Sequence, residues 1–283
     1  MTIFVSGASG NLGRRVVELL RERDLLVVAG SRNPDGLTDL GVETRRFDYN
    51  DPATVKAAMA GIDRALFISG DDVGNRAGPQ AAAVEAAGAA GLNHVVYTSI
   101  VHADDPTMAI SGDHRATEEA ITRTFDGYTI LRNNLYAELV IGAVAPAVAS
   151  GTLYTARGDG RIAWVSREDC ARAAAAALAD GFDGARTLDI TGPEALSGDD
   201  MAALFADLSG KSVTHASIPG PALIEGMTAS GLPRPVAELL LAFDDSAKRG
   251  LLGDVSTDLE TLTGQAGVSL RAVLDGLPSA SSQ

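Results

Sequence analysis

Apolar positions in this chain fall into short continuous runs, and each run is followed by a stripe at helical spacing. Residues 3–5 form a run long enough for one buried parallel strand. Leu12, Val16, Val17, Leu19 and Leu20 then mark one face of a helix. The alternation continues with runs at 25–30, 42–47, 65–69, 94–98 and 128–131, each read as a further strand. Helices are expected between them, most clearly over 79–90 and 113–124, and one starts at Asp51-Pro52, a capping side chain before a first-turn proline. Six strands alternating with helices predict an α/β fold, a Rossmann-like doubly wound parallel sheet with right-handed crossovers.

Beyond Ser150 the pattern changes. Segments 152–156 and 161–165 flank Gly158-Asp159-Gly160 and read as a hairpin. Ser166 and Asp169 resemble a capping box opening a helix to Leu178, and Ser197 with Asp200 opens another to Ser209. Strands are expected at 187–190 and 213–218, then helices after Pro219, broken near Gly231-Leu232-Pro233 and Gly250, with a short late helix starting at Thr257. The expected organisation is a dinucleotide-binding domain over 1–150, to which some later segments return. A smaller α/β substrate lobe over 151–278 and a frayed tail over 279–283 follow it.

The chemistry is concentrated at the start. Gly7, Gly10 and Gly13 lie between the first strand and the first helix. Glycines there allow a tight turn and close approach of a pyrophosphate, while unpaired N–H groups at the helix start face the anion. The second strand ends in Ser31-Arg32-Asn33-Pro34, with no acidic residue to hold a ribose 2′-hydroxyl. Arg32 is read either as a clamp for a 2′-phosphate, which favours NADP, or as a solvated turn residue. Asp48 and Tyr49 follow the third strand, where they would meet an adenine or serve as loop polarity. Ser69, Gly70 and Arg76 follow the fourth strand, Thr98 ends the fifth, and Arg132, Asn133 and Tyr136 end or follow the sixth. All sit at carboxyl ends, where such sheets hold ligands.

Charge narrows the partners. The net charge is -14, from 37 acidic and 23 basic residues, which argues against nucleic acid and anionic membranes. Cys170 is alone, which excludes an internal disulfide and a cysteine zinc cluster, and the histidines are scattered. No signal peptide and no membrane-spanning stretch is read, so a cytoplasmic protein, allowed as a homodimer, is expected.

Taken together, these stretches resemble the atypical short-chain dehydrogenase/reductases of the NmrA-like group, and within it the type 2 NAD(P)H:quinone oxidoreductases. The resemblance is carried by Gly7-Ala8-Ser9-Gly10-Asn11-Leu12-Gly13, Ser31 to Pro34, Phe47-Asp48-Tyr49 and Val73-Gly74-Asn75-Arg76-Ala77. It continues through the run from Tyr97 to Asp104, Leu131-Arg132-Asn133 with Tyr136, Gly158-Asp159-Gly160 and Gly231-Leu232-Pro233. It implies an NADPH-binding domain and two-electron reduction of quinones. Residues Gly7 to Leu12 would hold the pyrophosphate, Arg32 the 2′-phosphate, Ser69 and Gly70 the dinucleotide, and Arg132 to Tyr136 the nicotinamide region.

The residues are compatible with that chemistry and disfavour a common alternative. None of Tyr97, Tyr128, Tyr136 and Tyr154 has a lysine four positions on, so the Tyr-x-x-x-Lys route to alcohol oxidation is disfavoured. Where some NmrA-like reductases carry a lysine, His114 stands, either as a proton donor near neutral pH or as a helix-start residue. Asn133, Asn134, Tyr136 and His102 are candidates to meet the substrate, although His102 reads more readily as a structural, hydrogen-bonded loop residue. Direct hydride transfer from NADPH to a quinone-like small molecule, without flavin or metal, is the expected reaction. Two alternatives stay open, a non-catalytic NADP(H)-binding redox sensor and a reductase of another electrophile.

Overall fold

The computed structural model describes residues 1–276, and the expected frayed tail lies outside them. The first half alternates β1 (Thr2–Val5), α1 (Asn11–Arg21), β2 (Leu26–Ser31), β3 (Glu43–Arg46), α2 (Pro52–Ala58), β4 (Arg64–Phe67), α3 (Ala77–Ala89), β5 (His94–Ile100), α4 (Ser111–Thr124) and β6 (Gly127–Asn133). The second half adds α5 (Ile141–Ser150), β7 (Thr152–Thr155), α6 (Arg167–Ala179), β8 (Ala185–Ile190), α7 (Gly198–Ser209), β9 (Thr214–Ser217), α8 (Gly220–Ala229), α9 (Arg234–Lys248), α10 (Asp258–Thr263) and α11 (Leu270–Asp275).

A seven-stranded, all-parallel sheet in the order β3-β2-β1-β4-β5-β6-β8 forms the frame. The order reverses at β1, which pairs with β2 on one side (Val5 with Ala29) and β4 on the other (Val5 with Leu66). Connections leave to opposite faces there, and a crevice opens beyond the carboxyl ends of β1 and β4. One face of the sheet is covered by α1 and α6. Leu12, Val16, Val17 and Leu20 of α1 are buried, each contributing about 1.5–3 kcal/mol. α6 is buried nearly all round, and its alanines at 171 and 173–177 let it lie close to both the sheet and α1. α2, α3 and α4 cover the opposite face over Phe4, Phe67, Val95 and Tyr97.

The chain leaves this frame after β6 and returns to it three times, with α6, with β8, which pairs with β6 along its length, and with α10, whose Leu259 joins the core beneath α6. The remaining segments build a smaller lobe around Trp164, Phe205, Phe243 and Leu252. The expected hairpin over 152–165 does not form. β7 pairs in parallel with β9 instead. The backbone of residues 162–165 is taken by three other segments: Ile162 bridges to Leu196, Ala163 donates to the Leu252 carbonyl (2.8 Å), and Val165 donates to that of Leu135 (3.0 Å). The segment therefore stitches the lobe to the sheet rather than folding back on β7.

Candidate active site

The turn after β1 is held open by its own backbone. Gly7 has φ +62°, a left-handed conformation that disfavours side chains. Ala8 N–H donates to the Gly30 carbonyl (3.0 Å), and the Ile68 N–H donates to the Ser6 hydroxyl (2.8 Å), tying the turn to β2 and β4. The turn then doubles back over the first turn of α1. A Cβ on Gly13 would lie 2.7 Å from the Gly7 carbonyl carbon and closer still to its oxygen. Gly10 is the N-cap and brings no side-chain acceptor, so the first N–H groups of α1 are left for an external anion.

These residues open onto a cleft of about 380 Å³. Gly7, Gly10, Asn11, Leu12 and Gly13 form one end. Ser69 after β4, Ser99 and Ile100 on β5, Asn133 on β6, and the following Asn134, Leu135 and Tyr136 form the floor and far end. Ile110, Leu139 and Phe243 add apolar wall. Asn133 is 4% exposed and its side-chain oxygen has no hydrogen-bond partner among the described residues. An unpaired buried acceptor costs about 1–3 kcal/mol, and at a cleft wall a ligand donor could offset that deficit. Burial pushes the Tyr136 hydroxyl well above its ordinary range, with the nearby Asn133 amide opposing part of that shift. The Tyr136 ring lies beneath the Arg167 guanidinium at 5.2 Å. A glycine turn packed too closely on α1 to admit a Cβ at Gly13, an uncapped helix start and an orphaned acceptor fit a dinucleotide.

His114 also lines the cleft, but as a neutral ring. Arg76 can only donate, so its contact with His114 Nε2 (2.8 Å) fixes that nitrogen as the acceptor. The proton is then on Nδ1, donated to the Tyr97 hydroxyl (3.0 Å). Burial, aided by the Arg76 charge, lowers the His114 pKa to about 3. The expectation of proton donation near neutral pH is corrected accordingly. Arg76 is similarly committed: it pairs with Asp113 (3.3 Å) and donates to the Gly70 carbonyl, which braces the loop after β4 instead of freeing the guanidinium for a phosphate.

Other expected residues act at one remove or elsewhere. Thr98 accepts from the Ser69 N–H (2.9 Å), and Gly70 N–H donates to Gln80 (2.8 Å), so both shape the loop beside the cleft. Tyr49 donates to the Ile68 carbonyl (2.8 Å) and packs edge-on against Phe47 and Phe67, bracing the glycine turn from behind. Asp48 accepts from the Asn50 N–H (3.0 Å) in the loop after β3. Ala8 is buried within the turn, while Ser9 is exposed on it. Arg32 is exposed just past β2.

Arg132 and His102 do not line this cleft. Arg132 alternates with Asn133 along β6 and points to the other face, paired with Glu118 (2.8 Å) and Asp104 (2.9 Å). His102, at φ +53°, contacts Asp254 (3.0 Å) and faces a neighbouring cavity of about 370 Å³ beside Asp189 and Thr191. The wall between is Asn134, held by its donation to the Leu252 carbonyl (3.0 Å).

Sequence reasoning missed Arg167 and Phe243. Each reaches the cleft through tertiary packing of a helix assigned to the second lobe, and no local pattern announces it. The box-like start at Ser166, whose hydroxyl accepts from the Asp169 N–H (2.9 Å), was the nearest signal to Arg167.

Comparison with known proteins bears on this cleft. A family model described as NAD(P)H-binding matches residues 7–181. Quinone oxidoreductase 2 of Escherichia coli K12 is 33% identical over 95% of this chain and 96% of its own. The E. coli quinone oxidoreductase QOR2, solved in complex with NADPH, superposes with a TM-score of 0.91 at 32% identity, covering 96% of this chain and 98% of that one. The triphenylmethane reductase of Citrobacter sp., solved with NADP(H), has the same TM-score and identity over 96% of this chain and 99% of its own.

Proposed function

Because the chain belongs to the NAD(P)H-binding family and is an NAD(P)H-dependent oxidoreductase, we propose that it reduces quinones by two electrons with NADPH as donor. One observation carries this reading: the uncapped start of α1 and Asn133, whose side-chain oxygen is unpaired, line the same cleft. The N–H groups at Asn11, Leu12 and Gly13 hold the pyrophosphate, and Arg32 holds the 2′-phosphate. NADPH, when bound, supplies the hydride. Asn133 accepts a hydrogen bond from the carboxamide of the nicotinamide or from a hydroxyl of the reduced acceptor. Ile100, Leu135, Tyr136 and Phe243 form an apolar slot that favours a flat acceptor and excludes water. A quinone accepts hydride readily, so positioning does most of what the protein must do.

His114 stays neutral above its pKa of about 3, and the Tyr136 hydroxyl stays protonated because burial raises it. The proton that completes the hydroquinone therefore comes from solvent. Initial rates with NADPH and benzoquinone are expected to be flat from about pH 5.5 to 8.5, and a limb with an apparent pKa near 7 contradicts this assignment. Absence of turnover above background in the same assay points to the sensor alternative.

Calorimetric titration tests the Arg32 role. Arg32→Ala is expected to weaken NADPH by about ten- to a hundredfold, the worth of a charge-assisted hydrogen bond, and leave NADH nearly unchanged. Equal losses reject it. The acidic surface and the single, buried Cys170 suit a cytoplasmic enzyme, and no helix among the described residues is long and apolar enough to cross a membrane.

A further inference from the structure

Arg167 is the first residue of α6 and lines the same cleft as the glycine turn. Its surroundings set it apart from the other charges there. Glu168 is paired with Arg15 and Asp169 with Arg172. Glu138 accepts from the Arg167 backbone N–H (3.0 and 3.2 Å), not from its guanidinium. Arg76, the other arginine of the cleft, is consumed by Asp113 and the Gly70 carbonyl. The Arg167 guanidinium takes part in no ion pair among the described residues and rests on the Tyr136 ring at 5.2 Å.

Helix packing brings this cation level with the phosphate seat. α1 and α6 lie side by side on one face of the sheet, both starting at its carboxyl edge. Glu168 receives two hydrogen bonds from Arg15, at 2.8 and 3.1 Å, which locks the second residue of α6 beside the fifth of α1. At about 1.5 Å rise per residue, the start of α1 lies only about 6 Å beyond Arg15, within reach of an arginine side chain. Asn11, Leu12, Tyr136 and Arg167 accordingly line one cleft.

We propose that Arg167 is a second phosphate-binding group, contacting the nicotinamide-side phosphate of the dinucleotide from across the cleft while its plane stays against Tyr136. The inference rests on the dinucleotide reading of the cleft. A phosphate at that place is met by N–H groups of α1 on one side and a planar guanidinium on the other, and Tyr136 holds the arginine in a preorganised orientation. The role differs from that of Arg32, which reads the far, adenosine end.

Calorimetric titration of wild type, Arg167→Ala and Arg167→Lys with NADPH, NADH and adenosine 2′,5′-bisphosphate separates the possibilities, with melting curves to confirm folding. Arg167→Ala is expected to weaken NADPH and NADH alike by about ten- to a hundredfold. Adenosine 2′,5′-bisphosphate, which lacks the nicotinamide-side phosphate, is expected to change by less than about twofold, and Arg167→Lys to recover part of the loss. Unchanged NADPH affinity in Arg167→Ala, with wild type still binding, overturns the role of Arg167 alone, as does a raised KM for benzoquinone with no change in NADPH affinity. An equal loss for the bisphosphate overturns the placement on the nicotinamide side. Failure of wild type to bind NADPH overturns the dinucleotide reading itself.

Discussion

Gly13→Ala weakens NADPH binding by on the order of a hundredfold while the chain stays folded, since overpacking against backbone costs about 1–3 kcal/mol. The new methyl would lie 2.7 Å from the Gly7 carbonyl carbon and closer to its oxygen, and no flexible side chain stands in between to yield. The turn has to lift off α1, and the N–H groups that converge on the pyrophosphate then diverge. The loss of stability stays within about 2 kcal/mol, because alanine gains about 1 kcal/mol over glycine within a helix and offsets part of the clash. Gly78→Ala in α3, away from the cleft, serves as the control, since its methyl would meet nothing within 4 Å. Calorimetry with melting curves checks the pair. An affinity for Gly13→Ala within about twofold of wild type would remove the glycine turn from the binding site.

Asn133→Leu lowers kcat/KM by about ten- to a hundredfold without lowering the melting temperature. The two parts of this expectation come from one atom. Asn133 is 4% exposed with an unpaired oxygen, a deficit of about 1–3 kcal/mol that the free protein carries. Leucine is of similar size and removes the deficit, so the fold does not suffer. What is lost is the acceptor that orients cofactor or product. Sites of function are where such local penalties persist. A drop in melting temperature with kcat/KM unchanged would assign Asn133 to the scaffold instead.

The frame was legible because it rests on local signals. The run at 3–5, the glycine turn and the stripe on α1 appear in the structure in that order, and the six early strands pair in one parallel sheet. The proposed seat for phosphates follows from the same residues, since backbone N–H groups need no distant partner. The far end of the cleft was less legible for a geometric reason. Arg132 to Tyr136 reads as one block, but strand alternation sends Asn133 to the cleft and Arg132 to Glu118 on the other face. His114 and Arg76 both line the cleft, but the sequence left the role of each open, because only the folded chain shows that each occupies the other. Arg167 and Phe243 were invisible. They are about 155 and 230 positions from the glycine turn they help enclose, and contacts at that separation leave no periodicity to read.

In the proposed arrangement, one cleft seats a dinucleotide's phosphates on the start of α1 and its redox ring against Asn133 and Tyr136. A crystal structure of the chain grown with NADPH decides the matter. The pyrophosphate is expected within hydrogen-bonding distance of the Asn11, Leu12 and Gly13 N–H groups, with the nicotinamide between Asn133 and the apolar wall of Ile100, Leu135 and Phe243. NADPH bound elsewhere, or lying with its adenine at Asn133, would contradict it.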